Sequence, residues 1–302
     1  MRFRCGVLCC VVLGAVGGVY LGCARNESTF DSPKSQLKLT DLKLPKRIID
    51  AHTHFDGDDF ETYPTPDMLK EFAECNIVGA VTHLSLDTLE GLKLNAEWAP
   101  KRLALCAGIV PGQTVANVEK GLKDKTFRCM KIYLGYVPKY PNDSFYTPFY
   151  ELADAYKVPV VFHTGDTYDK TALVKFADPL GVDEIAVKYP KMNFVLAHMG
   201  NPWYHSAAEV IYKNDNVYAD ASAFIIGNAE TYPPEQIDLL LIKPVNFVFN
   251  YALNPKKIMF GSDWPLVDIK PYLQAVQRAI PEKDWEDVFY NNAARVFQFD
   301  PP

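Results

Sequence analysis

Along most of the chain, short runs rich in Val, Ile, Leu and Phe alternate with longer stretches whose apolar residues recur at helical spacing. Eight such runs read as strands: 47–55, 77–86, 102–110, 127–134, 158–163, 192–198, 216–223 and 257–263. Between them lie helical signals. Thr65 followed by Pro66 and Asp67 predicts a helix start, with the threonine as N-cap and proline in the first turn. Residues 148–156 form a second short amphipathic stretch, and 285–297 predict a last helix that closes over the body. Eight strands, each followed by a helix, predict an α/β fold: a (β/α)8 TIM barrel of parallel strands with an extra C-terminal helix. No internal repeat, Gly/Ser linker or charge block divides residues 47–302, so one barrel domain is expected.

The N-terminal residues follow a different pattern. Arg2 and Arg4 precede an apolar run over 5–23 without a charged residue, which predicts an export signal over residues 1–23. Its end, Tyr20-Leu21-Gly22-Cys23, resembles a bacterial lipobox and makes Cys23 the candidate lipidation site; ordinary cleavage and an uncleaved anchor stay open. Residues 24–46 are polar and lack a hydrophobic period, as a flexible tether would. The expectation is an exported lipoprotein of the cell envelope that touches the membrane through its lipid or anchor alone.

Composition narrows the function classes. With 48% apolar and 23% charged residues among 302, the chain has material for a large core and is not a disordered sequence. Its 31 basic residues against 37 acidic ones argue against nucleic acid or an anionic membrane as a general partner. A small-molecule substrate is expected instead. Cys75, Cys106 and Cys129 are the cysteines outside the leader; scattered through apolar runs, they are expected as small core residues rather than a disulfide framework.

The candidate chemistry falls at strand ends, where a barrel gathers it at one mouth. Asp50, His52 and His54 end the first strand with a period of two, which aims both imidazoles to one face. His163 ends the fifth strand, His198 the sixth and Asp263 the eighth. One histidine at a strand end is ordinarily a polar residue satisfied by nearby backbone. Several together bury polarity that a metal ion would offset. His83, at the end of the second strand, reads as pocket wall at best, and His205 as a structural residue.

This constellation resembles the amidohydrolase superfamily of metal-dependent barrel hydrolases, over residues 48–299. The closing Tyr-Asn-Asn-Ala-Ala-Arg-Val-Phe of 290–297 is similar to the terminal helix of the amidohydrolase-related branch, which also contains aminocarboxymuconate semialdehyde decarboxylase and resorcylate decarboxylases. The resemblance implies one divalent ion held by His52, His54, His163 and Asp263, with His198 beside the bound water. Imidazoles and a carboxylate suit zinc, which would lower the pKa of that water from about 15.7 toward about 7. His198 would then orient the hydroxide, and Asp263, both ligand and base, would relay the proton to the leaving group. Asp50 is expected to support the site without binding the ion. Lys131 sits on the strand where binuclear relatives carry a carboxylated lysine, so a second ion is implied if it is carboxylated; otherwise it pairs with Asp263 or a substrate carboxylate. The branch resemblance favours one ion.

Hydrolysis and decarboxylation differ in what they need at the mouth. Orienting a substrate acid favours an arginine fork, and none of the eight arginines follows a strand end. The sequence therefore favours hydrolysis of a C–N or C–O bond, with carboxy-lyase activity as the alternative and non-catalytic ligand binding as a third reading. A homodimer in which a neighbour lends an arginine stays open. Tyr133, Asp166 and Trp264, with Lys131, are the expected substrate contacts, since aromatic loops after strands four, six and eight could stack a planar or sugar-like ligand.

Overall fold

The computed structural model describes residues 43–54, 62–84, 93–99 and 101–299; the expected leader, Cys23 and residues 24–42 lie outside them. The described residues all belong to one compact unit. Eight parallel strands stand in sequence order: β1 (Ile48–His54), β2 (Ile77–His83), β3 (Leu103–Ile109), β4 (Phe127–Ile132), β5 (Val160–Phe162), β6 (Phe194–Leu196), β7 (Val217–Asp220) and β8 (Ile258–Met259). Past the short β8 the barrel is stitched shut against β1. Ala51 N donates to Phe260 O at 2.9 Å, Asp263 N to His52 O at 2.8 Å, and His54 N to Trp264 O at 2.8 Å. That seam brings the eighth strand's aspartate beside the first strand's histidines.

Helices alternate with the strands: α1 (Pro66–Glu74), α2 (Val115–Lys123), α3 (Thr147–Tyr156), α4 (Leu180–Lys188), α5 (Tyr204–Lys213), α6 (Pro234–Ile237), α7 (Lys243–Tyr251) and α8 (Ile269–Ala279). No helix is assigned between β2 and β3 among the described residues. The predicted start of α1 is present, with Thr65 Oγ1 accepting from Met68 N at 3.2 Å. A π-helical turn, Asp287–Asn291, leads into α9 (Asn292–Val296). This end of the chain packs Tyr290, Ala293 and Val296 onto the barrel interior, against Ile49, Ala51 and Val81. Arg47, just before β1, lies 3.7 Å over the Tyr290 ring, and Arg128, near the start of β4, bonds to the Gln298 carbonyl. The extra helix thus closes the N-terminal mouth and leaves the C-terminal mouth for chemistry. Residues 43–46 already touch this body: Lys43 O accepts from Gln277 Nε2 at 2.8 Å and Pro45 O from Asn76 Nδ2 at 3.0 Å.

The cysteine expectation needs correction. Cys75 is a buried free thiol, as expected, but Cys106 and Cys129 form a disulfide. They lie opposite each other in the β3–β4 ladder with Cα atoms 4.3 Å apart. Spacing in the sequence hid the pair, because the register of two neighbouring parallel strands, joined through α2, is what makes them adjacent.

Candidate metal centre

At the end of β1 the period of two separates two environments. Thr53 turns outward, its Oγ1 donating to Val81 O at 2.9 Å, whereas His52 and His54 bring their Nε2 atoms within 3.3 Å of each other. Asp50 lies at the β1–β8 seam, its Oδ1 accepting from His52 N at 3.2 Å and Ser262 N at 2.9 Å. Gly261 permits the approach of the eighth strand: a Cβ there would sit 2.8 Å from His52 Cβ. Two residues on, Asp263 adopts φ 72° and turns its carboxylate inward, with Oδ1 3.3 Å from His52 Nε2 and 3.1 Å from His54 Nε2.

These three atoms fit a divalent ion. Ligands bound at about 2.1 Å in a tetrahedron stand about 3.4 Å apart, close to the spacing seen here. Asp263 Oδ1 is buried and has no hydrogen-bond partner, so the atoms point toward a common centre rather than at one another.

The backs of the rings fix which nitrogen is free. Asp220, at the end of β7, receives His198 N at 3.0 Å and Ser222 N at 3.3 Å on one oxygen, and His52 Nδ1 at 2.9 Å on the other. Ser222 Oγ also donates to Asp220. A carboxylate surrounded by donors only accepts, so His52 carries its proton on Nδ1 and offers a lone pair at Nε2. Ser222 Oγ in turn accepts from His198 Nδ1 at 2.8 Å, which leaves His198 Nε2 as a lone pair. That nitrogen faces His163 Nδ1 at 3.2 Å. His163 Nε2 donates to Asp166 O at 2.9 Å, so its Nδ1 is a lone pair too. Two lone pairs face each other, and a shared proton or a cation satisfies them.

Electrostatics agree with ligation. Burial pushes His52 and His163 well below the usual imidazole range, with Lys131 adding to the effect at His52 and His198 at His163. Burial also lowers His198. All three are neutral at pH 7, the state in which an imidazole can ligate a metal or accept a proton. For Asp263, burial raises the pKa, but His52, His198 and His54 outweigh it and hold the carboxyl well below its ordinary value. Burial raises Asp50 to about 7 and pulls Lys131 down to about 8, the latter offset in part by Asp220 and Asp263.

Of the four expected ligands, His52, His54 and Asp263 converge, while His163 is turned to His198. A second group joins His52 and His198 to Asp220, a residue the strand-end reading passed over although Asp-Ala-Ser at 220–222 carries the same period of two. Lys131 is buried with Nζ 3.3 Å from His52 Nε2. Tyr133 stands 6.4 Å from His54 between ring centroids, and its hydroxyl reaches Leu84 O at 3.4 Å. Trp264 is buried, its backbone locked to His54 and its N–H donating to Ser262 Oγ at 3.0 Å. Asp166, His163, His198 and Asp263 line a cavity of about 310 Å³. His205 stacks on Tyr204 at 4.3 Å and packs against Phe247. His83 is buried 4.2 Å from the His52 ring with neither nitrogen hydrogen-bonded.

A family model described as Amidohydrolase matches residues 49–299. No curated protein matches the chain. Among solved structures, an uncharacterized TIM-barrel protein from Bordetella bronchiseptica superposes with TM-score 0.63 at 18% identity, covering 83% of this chain and 98% of its own. A probable 2-pyrone-4,6-dicarboxylic acid hydrolase from Acinetobacter baumannii gives 0.60 at 15% identity, covering 84% and 100%. A dihydroxybenzoic acid decarboxylase from Polaromonas sp. JS666, with bound manganese, gives 0.58 at 15% identity, covering 86% and 98%. At such identities the likeness concerns the fold.

Proposed function

The chain belongs to the amidohydrolase family, and from that premise we propose that it is a metal-dependent hydrolase acting on a C–N or C–O bond of a small molecule. His52, His54 and Asp263 would hold one divalent ion, with His163 as the fourth donor; zinc is our assignment, since three imidazoles and a carboxylate suit a borderline ion. When bound, the ion supplies Lewis acidity that polarises a carbonyl and acidifies water. The remaining work falls to the chain. Ser222 fixes the His198 ring so that Nε2 can orient the attacking water. Asp263, kept ionised, takes the proton from that water and passes it to the leaving nitrogen or oxygen. Lys131 stays an ammonium beside His52, so one ion is proposed rather than two.

The observation that carries hydrolysis over decarboxylation is the placement of the arginines. Arg47 pairs with Glu286, Arg128 with the Gln298 carbonyl and Arg295 with the Lys256 carbonyl, and among the described residues no arginine lines the cavity. The carboxy-lyase reading draws on the several decarboxylases among the structural neighbours. Amide, lactone and aryl-acid substrates assayed with and without chelator separate the two: chelator-sensitive cleavage of amides or lactones supports hydrolysis, and release of carbon dioxide from the acids overturns it. The Cys106–Cys129 disulfide supports the further proposal that the protein works outside the cytoplasm, tethered through Cys23.

A further inference from the structure

The cavity has two unlike ends. Its buried end presents His163, His198 and Asp263, while Asp166 is exposed. Its apolar wall runs from the buried Phe224 and Ile225 to Ile226 in the segment after β7, with Leu240 before α7 and Leu266 after β8. Ile226, Leu240 and Leu266 are 47%, 44% and 40% exposed, so apolar surface stands open at the mouth.

The charge of this cavity is one-sided. Among the described residues it contains the carboxylates of Asp166 and Asp263 and no Lys or Arg. Lys131 is fully buried at the metal centre, its Nζ 3.3 Å from His52 Nε2, and is not part of the lining; Lys139 pairs with Asp143 at 3.4 Å, and Lys175 lies over the Phe176 ring at 4.9 Å. A carboxylate on the part of a substrate remote from the metal centre would meet the exposed Asp166 carboxylate and the apolar side chains of Ile226, Leu240 and Leu266, with no lysine or arginine among the described lining residues to pair with it.

We propose that the site takes an uncharged substrate without a carboxylate: an amide, ester or lactone whose carbonyl lies at His198 and Asp263 and whose apolar body rests on Phe224, Ile226, Leu240 and Leu266. This rests on the hydrolytic reading. Water adds its oxygen to the carbonyl carbon, the C–N or C–O bond breaks, and the leaving atom takes the proton.

The test uses the full chain and two probes, 4-ethylbenzamide and 4-carboxybenzamide, with binding followed by calorimetry on both chelator-treated and zinc-loaded protein. The proposal expects the ethyl probe to bind at least tenfold tighter in both forms, and Ile226→Lys to reverse the preference; Leu266→Lys repeats the reversal from another loop if the first variant fails to fold. Equal or tighter binding of the carboxylated probe, or no binding of the ethyl probe at millimolar concentration, overturns it. Turnover of 4-ethylphenyl acetate and 4-carboxyphenyl acetate keeps the two readings apart. Binding preference without cleavage of either ester removes hydrolysis and leaves the ligand class standing; tight binding and cleavage of the carboxylated ester does the reverse.

Discussion

Asp220 Oδ2 lies 2.9 Å from His52 Nδ1, with both side chains fully buried. The carboxylate holds the imidazole proton on Nδ1, the nitrogen that faces it, and leaves Nε2 as a lone pair facing His54 and Asp263. Asp220→Asn can donate where the carboxylate accepted, which favours the other tautomer and points an N–H at the ligand atoms. We expect metal affinity to fall by ~10–100-fold with the fold intact. Competition against a chromogenic chelator, alongside circular dichroism, checks this; unchanged affinity would mean that Asp220 does not set the tautomer.

His198 differs from the ligands in that its backbone and Nδ1 are tied to Asp220 and Ser222. His198→Asn is therefore expected to keep its metal and lose turnover by ~10²–10⁴-fold, the usual cost of removing a positioned proton-handling group. Wild-type turnover in this variant would remove His198 from the mechanism.

Acidification should destabilise the metal-free protein. Burial depresses His52, His83, His163 and His198 below 6.5, so below that pH the unfolded chain binds more protons than the folded one and stability falls as pH falls. Asp50, raised by burial to about 7, and Asp220, also raised by burial, act in the opposite sense below pH 7, so they blunt the loss without reversing it. His83→Phe removes one of the four depressed groups together with two buried unpartnered nitrogens. Urea denaturation at pH 7, 6 and 5 should show a gain of ~1–3 kcal/mol at pH 5 and a shallower slope in the variant. A variant less stable than wild type at all three would show that His83 has a partner in solution.

The disulfide gives a simple chemical expectation. Denatured without reductant, a form lacking the leader should expose one reactive thiol, Cys75, and reduction should release Cys106 and Cys129. Cys106→Ser with Cys129→Ser should cost ~2–4 kcal/mol of stability. Three free thiols before reduction would contradict the pairing.

Periodicity made the barrel legible because, apart from the step from β2 to β3, the described strands alternate with helices, and it placed His52, His54 and Asp263 at strand ends where they do converge. What it could not supply was contact across strands. Cys106 and Cys129 are neighbours by register, and Asp220 reaches His52 across the barrel, 168 residues away in the chain. The later strands were read too long because the chain leaves the ladder early. His163 follows a three-residue β5, while His198 and Asp263 adopt positive φ that no hydrophobic pattern encodes.

The central claim is that His52, His54 and Asp263 gather one divalent ion. Elemental analysis of the purified wild type, His54→Ala and Asp263→Ala, before and after zinc or manganese is added, tests it directly. The account predicts about one ion per chain in the wild type and its loss in both variants. A wild-type protein that stays empty after either metal is added, or variants that hold as much metal as the wild type, would contradict it.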